Sequence, residues 1–188
     1  MPLPEVSDFQ RTQTYTPKAV SREGVVPQGY VSFFAAKRAC EQAGKRLCSE
    51  HEWVVACRGQ KNTQFPYGDE YRKEPCNVGK VFHPAAVLHG LSSSGHLDPR
   101  LNLLSVAGDE PVLRVTGASQ GCASRWGTDA VFDMVGNLDE WVADEAGVFR
   151  GGFYARRTTA GCDSQIKNHS STYFDYSTGA RCCRDQRP

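Results

Sequence analysis

Residues 132–144 read Phe132-Asp133-Met134-Val135-Gly136-Asn137-Leu138-Asp139-Glu140-Trp141-Val142-Ala143-Asp144. Between Asp133 and Trp141 stand three carboxylates, an amide, a glycine and a large aromatic ring. Asp133, Gly136, Leu138 and Glu140 fall at i, i+3, i+5 and i+7, a spacing that lets two carboxylates and two backbone carbonyls face one hard cation. A tight turn explains the same residues without a metal, with Asn137 and Glu140 bonding backbone groups while Trp141 fills the core. On spacing alone both readings stay open.

Working outward, the chain of 188 residues suggests one domain of ordinary size, long enough to bury its own core. It nevertheless carries eight cysteines, an even number. Cys40, Cys48, Cys57, Cys76, Cys122, Cys162, Cys182 and Cys183 show none of the paired spacing of a zinc site. Disulfides formed in an oxidising compartment fit better, and a Cys–His nucleophile pair would then lack its thiol. The 22 basic and 21 acidic residues leave a net charge of +1, so no global field points to nucleic acid or to a membrane surface. No apolar run is long enough to span a bilayer. The start Met1-Pro2-Leu3-Pro4 reads as that of a trimmed chain or of a mature form, with an export signal removed.

Residues 1–30 are polar and proline-punctuated, an extended segment with one short strand-like patch at Thr14-Tyr15-Thr16; residues 31–188 form the domain proper. From Val31 to Ala43, Phe33, Ala36, Ala39 and Cys40 make a helical stripe, with Ser32 as N-cap and Gly44 as stop. Ser49 and Glu52 form a capping box for a second helix, which presents Trp53, Val54 and Ala56 and ends near Gly59. Residues 60–127 are loop-rich, with a strand candidate at Val112–Val115, and a loop region this long needs disulfides or ions to hold it. Strands are expected at Val148–Tyr154 and Gly179–Arg184. His83, His89 and His96 are close in sequence, but nothing in their frame aims three rings at one point; solvated loop histidines are the better reading.

Six segments together resemble one family, the formylglycine-generating enzymes: "VSFFAAKRACEQAGKRLCSEHEWVVACRG" (31–59), "FPYGDE" (65–70), "CNVG" (76–79), "FDMVGNLDEWVAD" (132–144), "FRGGFYARR" (149–157) and "STGARCCRD" (177–185). The resemblance implies an α+β, loop-rich variant of the C-type-lectin-like fold, here N-terminally short and disulfide-stapled. It implies calcium at Asp133, Gly136, Leu138 and Glu140. A second calcium site would use Asn77 and Val78, with Asp98 or Asp109 as a further ligand. It implies the disulfides Cys40–Cys182 and Cys57–Cys162. Neighbours on a strand point to opposite faces, so Cys182 and Cys183 should bond different partners. Cys48, Cys76, Cys122 and Cys183 then remain with three ways to pair, of which Cys48–Cys183 with Cys76–Cys122 is the one expected here.

One departure bears on activity. The family's oxidase binds copper through two cysteines shortly after the Gly-Gly-aromatic strand, and here Arg156 and Ala160 or Gly161 stand near those places. Cys162 matches a third, structural cysteine. The expectation is therefore an exported member without the oxidase activity, secreted, periplasmic or in the cell envelope. It would bind a protein or a glycan through a groove of Arg156, Arg157, Asp163, His169, Tyr173, Asp175 and Tyr176. The rivals are a metal-dependent enzyme with altered chemistry in that groove and a structural subunit of a larger assembly. An enzyme should show a concave pocket with convergent polar groups, a binding module a broad face of Tyr, Phe and Arg.

Overall fold

The computed structural model describes residues 16–80, 82–105 and 110–185; Met1, the Thr14-Tyr15 part of the expected strand-like patch, and Asp109 lie outside them. The chain folds as a loop-rich α+β domain of short helices and small sheets. Helix α1 (Phe33–Gln42) starts where Ser32 Oγ accepts the Ala35 N–H at 3.3 Å, and the chain turns away at Gly44 with φ 66°. Strand β1 (Arg46–Leu47) leads to α2 (Glu50–Arg58), whose Ser49–Glu52 capping box is formed in both directions. The α1 stripe seats Phe33 and Ala36 in the core, and α2 buries Trp53 and Cys57.

The described part of the loop region holds a short α-helix, α3 (Pro84–His89), with proline at its first turn, and a 3-10 turn at Leu101–Leu103. Val112–Val115 forms no strand; Val112 N–H instead donates to Leu104 O at 2.9 Å, and Val112 and Leu113 are buried as single side chains. Strands β2 (Ala123–Trp126) and β3 (Asp129–Phe132) form an antiparallel hairpin that the sequence reading leaves within and beside loop. The principal sheet runs β6-β5-β4-β7, from β4 (Asp139–Trp141), β5 (Phe149–Arg150), β6 (Gln165–Ile166) and β7 (Thr178–Ala180). Two expected strands come out shorter. The first stops after Arg150, because Gly151 and Gly152 take φ 91° and 76°. The second divides at Arg181: β7 joins β4 in parallel, while β8 (Cys182–Cys183) pairs with β1.

Four disulfides tie these pieces: Cys40–Cys182, Cys48–Cys183, Cys57–Cys162 and Cys76–Cys122. No cysteine is left free. The buried side chains gather around Trp53, around Trp141 and Phe149, and around Tyr154 and Tyr176. The 133–137 loop crosses between these clusters on left-handed backbone, with φ 59° at Asp133, 83° at Gly136 and 66° at Asn137. A Cβ on Gly136 would come within 2.3 Å of Asn77 O, so only glycine fits there.

Asn137 explains why the loop holds that shape. Its Oδ1 accepts from Asn77 Nδ2 at 2.9 Å and from Arg114 N–H at 3.0 Å, and its Nδ2 donates to Arg114 O at 3.0 Å. Its backbone N–H donates to Asn77 O, and its carbonyl accepts from Tyr154 N–H. One side chain thus joins the sheet to both ends of the long loop.

Candidate functional site

Asp139 opens β4 with its carboxylate wholly buried. The chain that leaves β5 through Gly151-Gly152 returns Arg156 over it, with Nη1 3.0 Å from Oδ1. Nη2 stands 2.9 Å from Oδ2, too far out of line for a hydrogen bond, and Oδ2 has none. Burial pushes the Asp139 carboxyl up to about 7; the Asp175 charge adds to the rise and Arg156 opposes it. The Arg156 guanidinium also lies over the Phe153 ring, 5.0 Å from its centre.

Beside this pair, residues 173–178 form a tight turn. Asp175 Oδ1 accepts from Ser177 N–H at 2.8 Å and Ser177 Oγ at 2.7 Å, and Oδ2 accepts from the Tyr173 hydroxyl at 2.5 Å. His169 stacks on Tyr173 with ring centres 3.9 Å apart and continues to Phe149 at 5.6 Å. On the other flank Tyr176 OH shares a 2.8 Å hydrogen bond with His83 Nε2, and His96 Nδ1 lies 3.7 Å from Asp175 Oδ2. Asn102 fastens that flank, donating to Tyr176 O at 2.8 Å and accepting from Tyr154 OH at 2.9 Å.

Burial lowers the pKa of His83, and the His96 charge lowers it further. Burial also lowers that of His169, so both rings are neutral at pH 7. Burial, then Asp175, raise the Tyr173 and Tyr176 hydroxyls, which remain protonated.

Of the expected groove residues, Arg156, His169, Tyr173, Asp175 and Tyr176 gather here. Arg157 does not: it is exposed and lies over the Tyr71 ring, 5.4 Å from its centre. Neither does Asp163, which turns to α2 and pairs with Arg58 at 2.8 Å. His83 and His96 correct the reading of solvated loop histidines, since both pack on Tyr176. Only His89 stays at the edge, 3.0 Å from Asp98 Oδ2. Asp139 and Phe153 join the site without having been singled out for it. The one signal was that Asp139 lies inside the carboxylate-rich stretch and Phe153 directly after the glycine pair.

Asp139, Phe153, Arg156 and Ser177 of this site fall in segments on which the resemblance rests, and a family model describing a sulfatase-modifying factor enzyme 1-like domain matches residues 4–186. The chain belongs to that family. No curated protein matches it.

For a sulfatase-modifying-factor-like domain, calcium is the implied ion, and the two expected sites differ in fit. At the Asp133 loop a cation is already supplied by the protein. Arg181 donates to both Glu140 oxygens, at 2.9 and 3.0 Å, and to Phe132 O at 3.0 Å, while Trp53 Nε1 adds a 2.7 Å bond to Glu140 Oε2. Asp133 Oδ2 accepts the Gly117 N–H at 2.8 Å. That loop does not fit a further cation. At Asn77 one buried oxygen is open: Nδ2 is engaged by Val112 O and Asn137, and Oδ1 has no partner. Asp98 is not beside it, being held by Arg100 at 2.7 Å, and Asp109 lies outside the described residues.

Proposed function

We propose that this domain is an exported binding module, secreted, periplasmic or in the envelope, that recognises a protein or a glycan. Its recognition face is built by Arg156, His169, Tyr173, Phe174 and Asp175, and it does not carry out the cysteine oxidation of its family. The observation that carries this reading is how the polar groups of the face are engaged. Asp175 accepts three hydrogen bonds from Ser177 and Tyr173, and Asp139 holds Arg156. Phe174, 45% exposed, and the stacked pair His169–Tyr173 supply ring surface beside them. A rigid face of aromatic rings and pre-set polar groups suits recognition. The resemblance to a C-type-lectin-like fold adds weight to a glycan.

Other observations lean the same way. With every cysteine in a disulfide, no thiolate is at hand for copper or for attack on a substrate. Four disulfides suit an oxidising compartment, and among the described residues no helix is long and apolar enough to cross a membrane. Calcium enters the proposal at Asn77 and Val78, through the unpartnered Asn77 Oδ1 and the Val78 carbonyl; its chemistry there is to hold the neck of the long loop.

A glycan array probed with the whole domain, beside its Tyr173→Ala and Arg156→Ala variants, tests the reading. Binding that the variants lose while their melting curves stay cooperative supports it. Aldehyde formed on a sulfatase-type cysteine peptide, above a no-enzyme control, overturns it. Dialysis against a chelator tests the ion, which at about 100 times its dissociation constant should add about 2.7 kcal/mol of stability. No change in melting temperature would remove calcium from the account.

A second reading, an acid–base enzyme, is favoured by the Asp139 carboxyl at about 7. It requires a turnover that follows that titration and disappears in Asp139→Asn.

A further inference from the structure

Away from the face just described, five side chains form a continuous ladder. Arg72 lies over Tyr67 at 4.6 Å, and Tyr67 stacks on Phe65 at 5.3 Å with 16° between the rings. Phe65 meets Tyr71 at 6.0 Å, and Arg157 lies over Tyr71 at 5.4 Å. Phe65 is the buried rung, only 1% exposed, and the loop that carries Tyr67, Tyr71 and Arg72 is closed by hydrogen bonds between Phe65 and Gly68 in both directions. Thr63 Oγ1 donates to Phe65 O at 2.7 Å, and Asp69 Oδ1 accepts Gln64 N–H at 3.0 Å. The ladder is therefore set before any ligand arrives.

At its Tyr71 end a cleft of about 350 Å³ opens, lined by Tyr71, Lys73, Gly79 and Arg157. Neither of its two cations is drawn off by a carboxylate among the described residues. Arg156 and Lys80, near neighbours of the cleft residues in sequence, are paired with Asp139 and Glu110. Arg157 and Lys73 are exposed and make no ion pair among the described residues, and neither does Arg72. Glu70 and Glu74 are exposed on the same loop without pairing to them. Two unpaired cations and one aromatic ring thus share a concave site of small-ligand size.

We infer that this cleft is a binding site for an anionic sugar, one that carries a carboxylate or a sulfate group. The charged group meets Arg157, whose guanidinium fork suits an oxyanion, and Lys73 adds a second donor. The apolar side of the sugar ring rests against Tyr71. A nucleic acid is a poorer match, since no basic run in the sequence is longer than a pair. The inference does not rest on the reading of the Tyr173 face, because the two sites share no side chain.

Titration calorimetry of the whole domain at low ionic strength tests it with four probes: an oligogalacturonate, a sulfated heparin oligosaccharide, a neutral cello-oligosaccharide and an oligoglutamate peptide. Either or both anionic sugars should bind, more weakly as salt is raised, and the neutral one should not. Arg157→Ala should weaken that binding about tenfold, and Lys73→Ala by a smaller factor. Both side chains are exposed, so the variants should melt like the parent. Equal binding of the neutral sugar, binding of the peptide alone, or no binding of either anionic sugar overturns the inference. So does binding that survives Arg157→Ala and Lys73→Ala but is lost in Tyr173→Ala. That last result would assign the sugar to the other face and leave its recognition role intact.

Discussion

Three disulfides join α1, β1 and α2 to the C-terminal third of the chain, whereas residues 77–121 hang behind a single one, Cys76–Cys122. Past that neck, the described part of the long loop is held by side chains. Asn137 and Asn102 fasten its backbone and its rings, and the Lys80–Glu110–Arg114 and Asp98–Arg100 ion pairs brace it. The difference teaches how this fold keeps a constant frame and varies its surface. Covalent ties fix α1, α2, β8 and the short turn that carries Cys162. Hydrogen bonds then suffice to bring His83 and His96 from the loop onto Tyr176.

The strongest way to break this comparison is to open one disulfide in each region. Replacing Cys57 and Cys162 with alanine should cost about 2–5 kcal/mol, read from urea unfolding. The Cys76–Cys122 pair closes 46 residues against 105, so loop entropy alone makes its removal cheaper by about 0.7 kcal/mol. A larger loss at the neck than in the frame would show that the long loop is the more constrained part.

Asn137→Ala comes next. It deprives Arg114 N–H and Arg114 O of their partner and Asn77 Nδ2 of one of its two, and puts alanine on left-handed backbone. About 2–3 kcal/mol should be lost by the same measurement. A loss under about 0.5 kcal/mol would mean that the loop is held elsewhere.

Acid and base should act on the two regions in opposite directions. The Arg100 guanidinium holds Asp98 down to about 2, so the loop's contribution is present above about 4 and lost as pH falls through about 2. Asp139 is raised to about 7, so its contribution is full below about 4 and lost as pH rises through about 7. Melting temperature measured across pH should decline on both sides. Asp139→Asn should flatten the neutral side only, and an unchanged profile in that variant would refute the assignment.

Asp163→Ala should do least. The Arg58–Asp163 pair is surface-exposed, so stability should change by about 0–1 kcal/mol, with ligand binding untouched. A loss of ligand in this variant would return Asp163 to the recognition face.

Much of the frame is legible in the chain because its signals are local. Ser32, Ser49, Glu52, Gly44 and Gly59 mark two helices by capping chemistry that acts within one turn. The loop-rich middle is legible from composition, but its contents are less so. Pro84–His89 is too short for a periodic signal, and the Gly151-Gly152 turn that ends β5 lies inside an otherwise strand-like run. The Arg157 side chain could not be assigned to one face from its position beside Arg156, since neighbours on a turn diverge.

By itself the sequence determined the two capped helices, the family and an even set of cysteines, because capping, motif order and count reside in the chain. Only the tertiary structure decided that Asp139 is buried under Arg156, that Arg181 stands on Glu140, and that two loop histidines meet Tyr176. These are contacts between residues 17 to 93 positions apart. No local propensity encodes them; they exist because the disulfides and the Asn137 hydrogen bonds bring separate segments to one place.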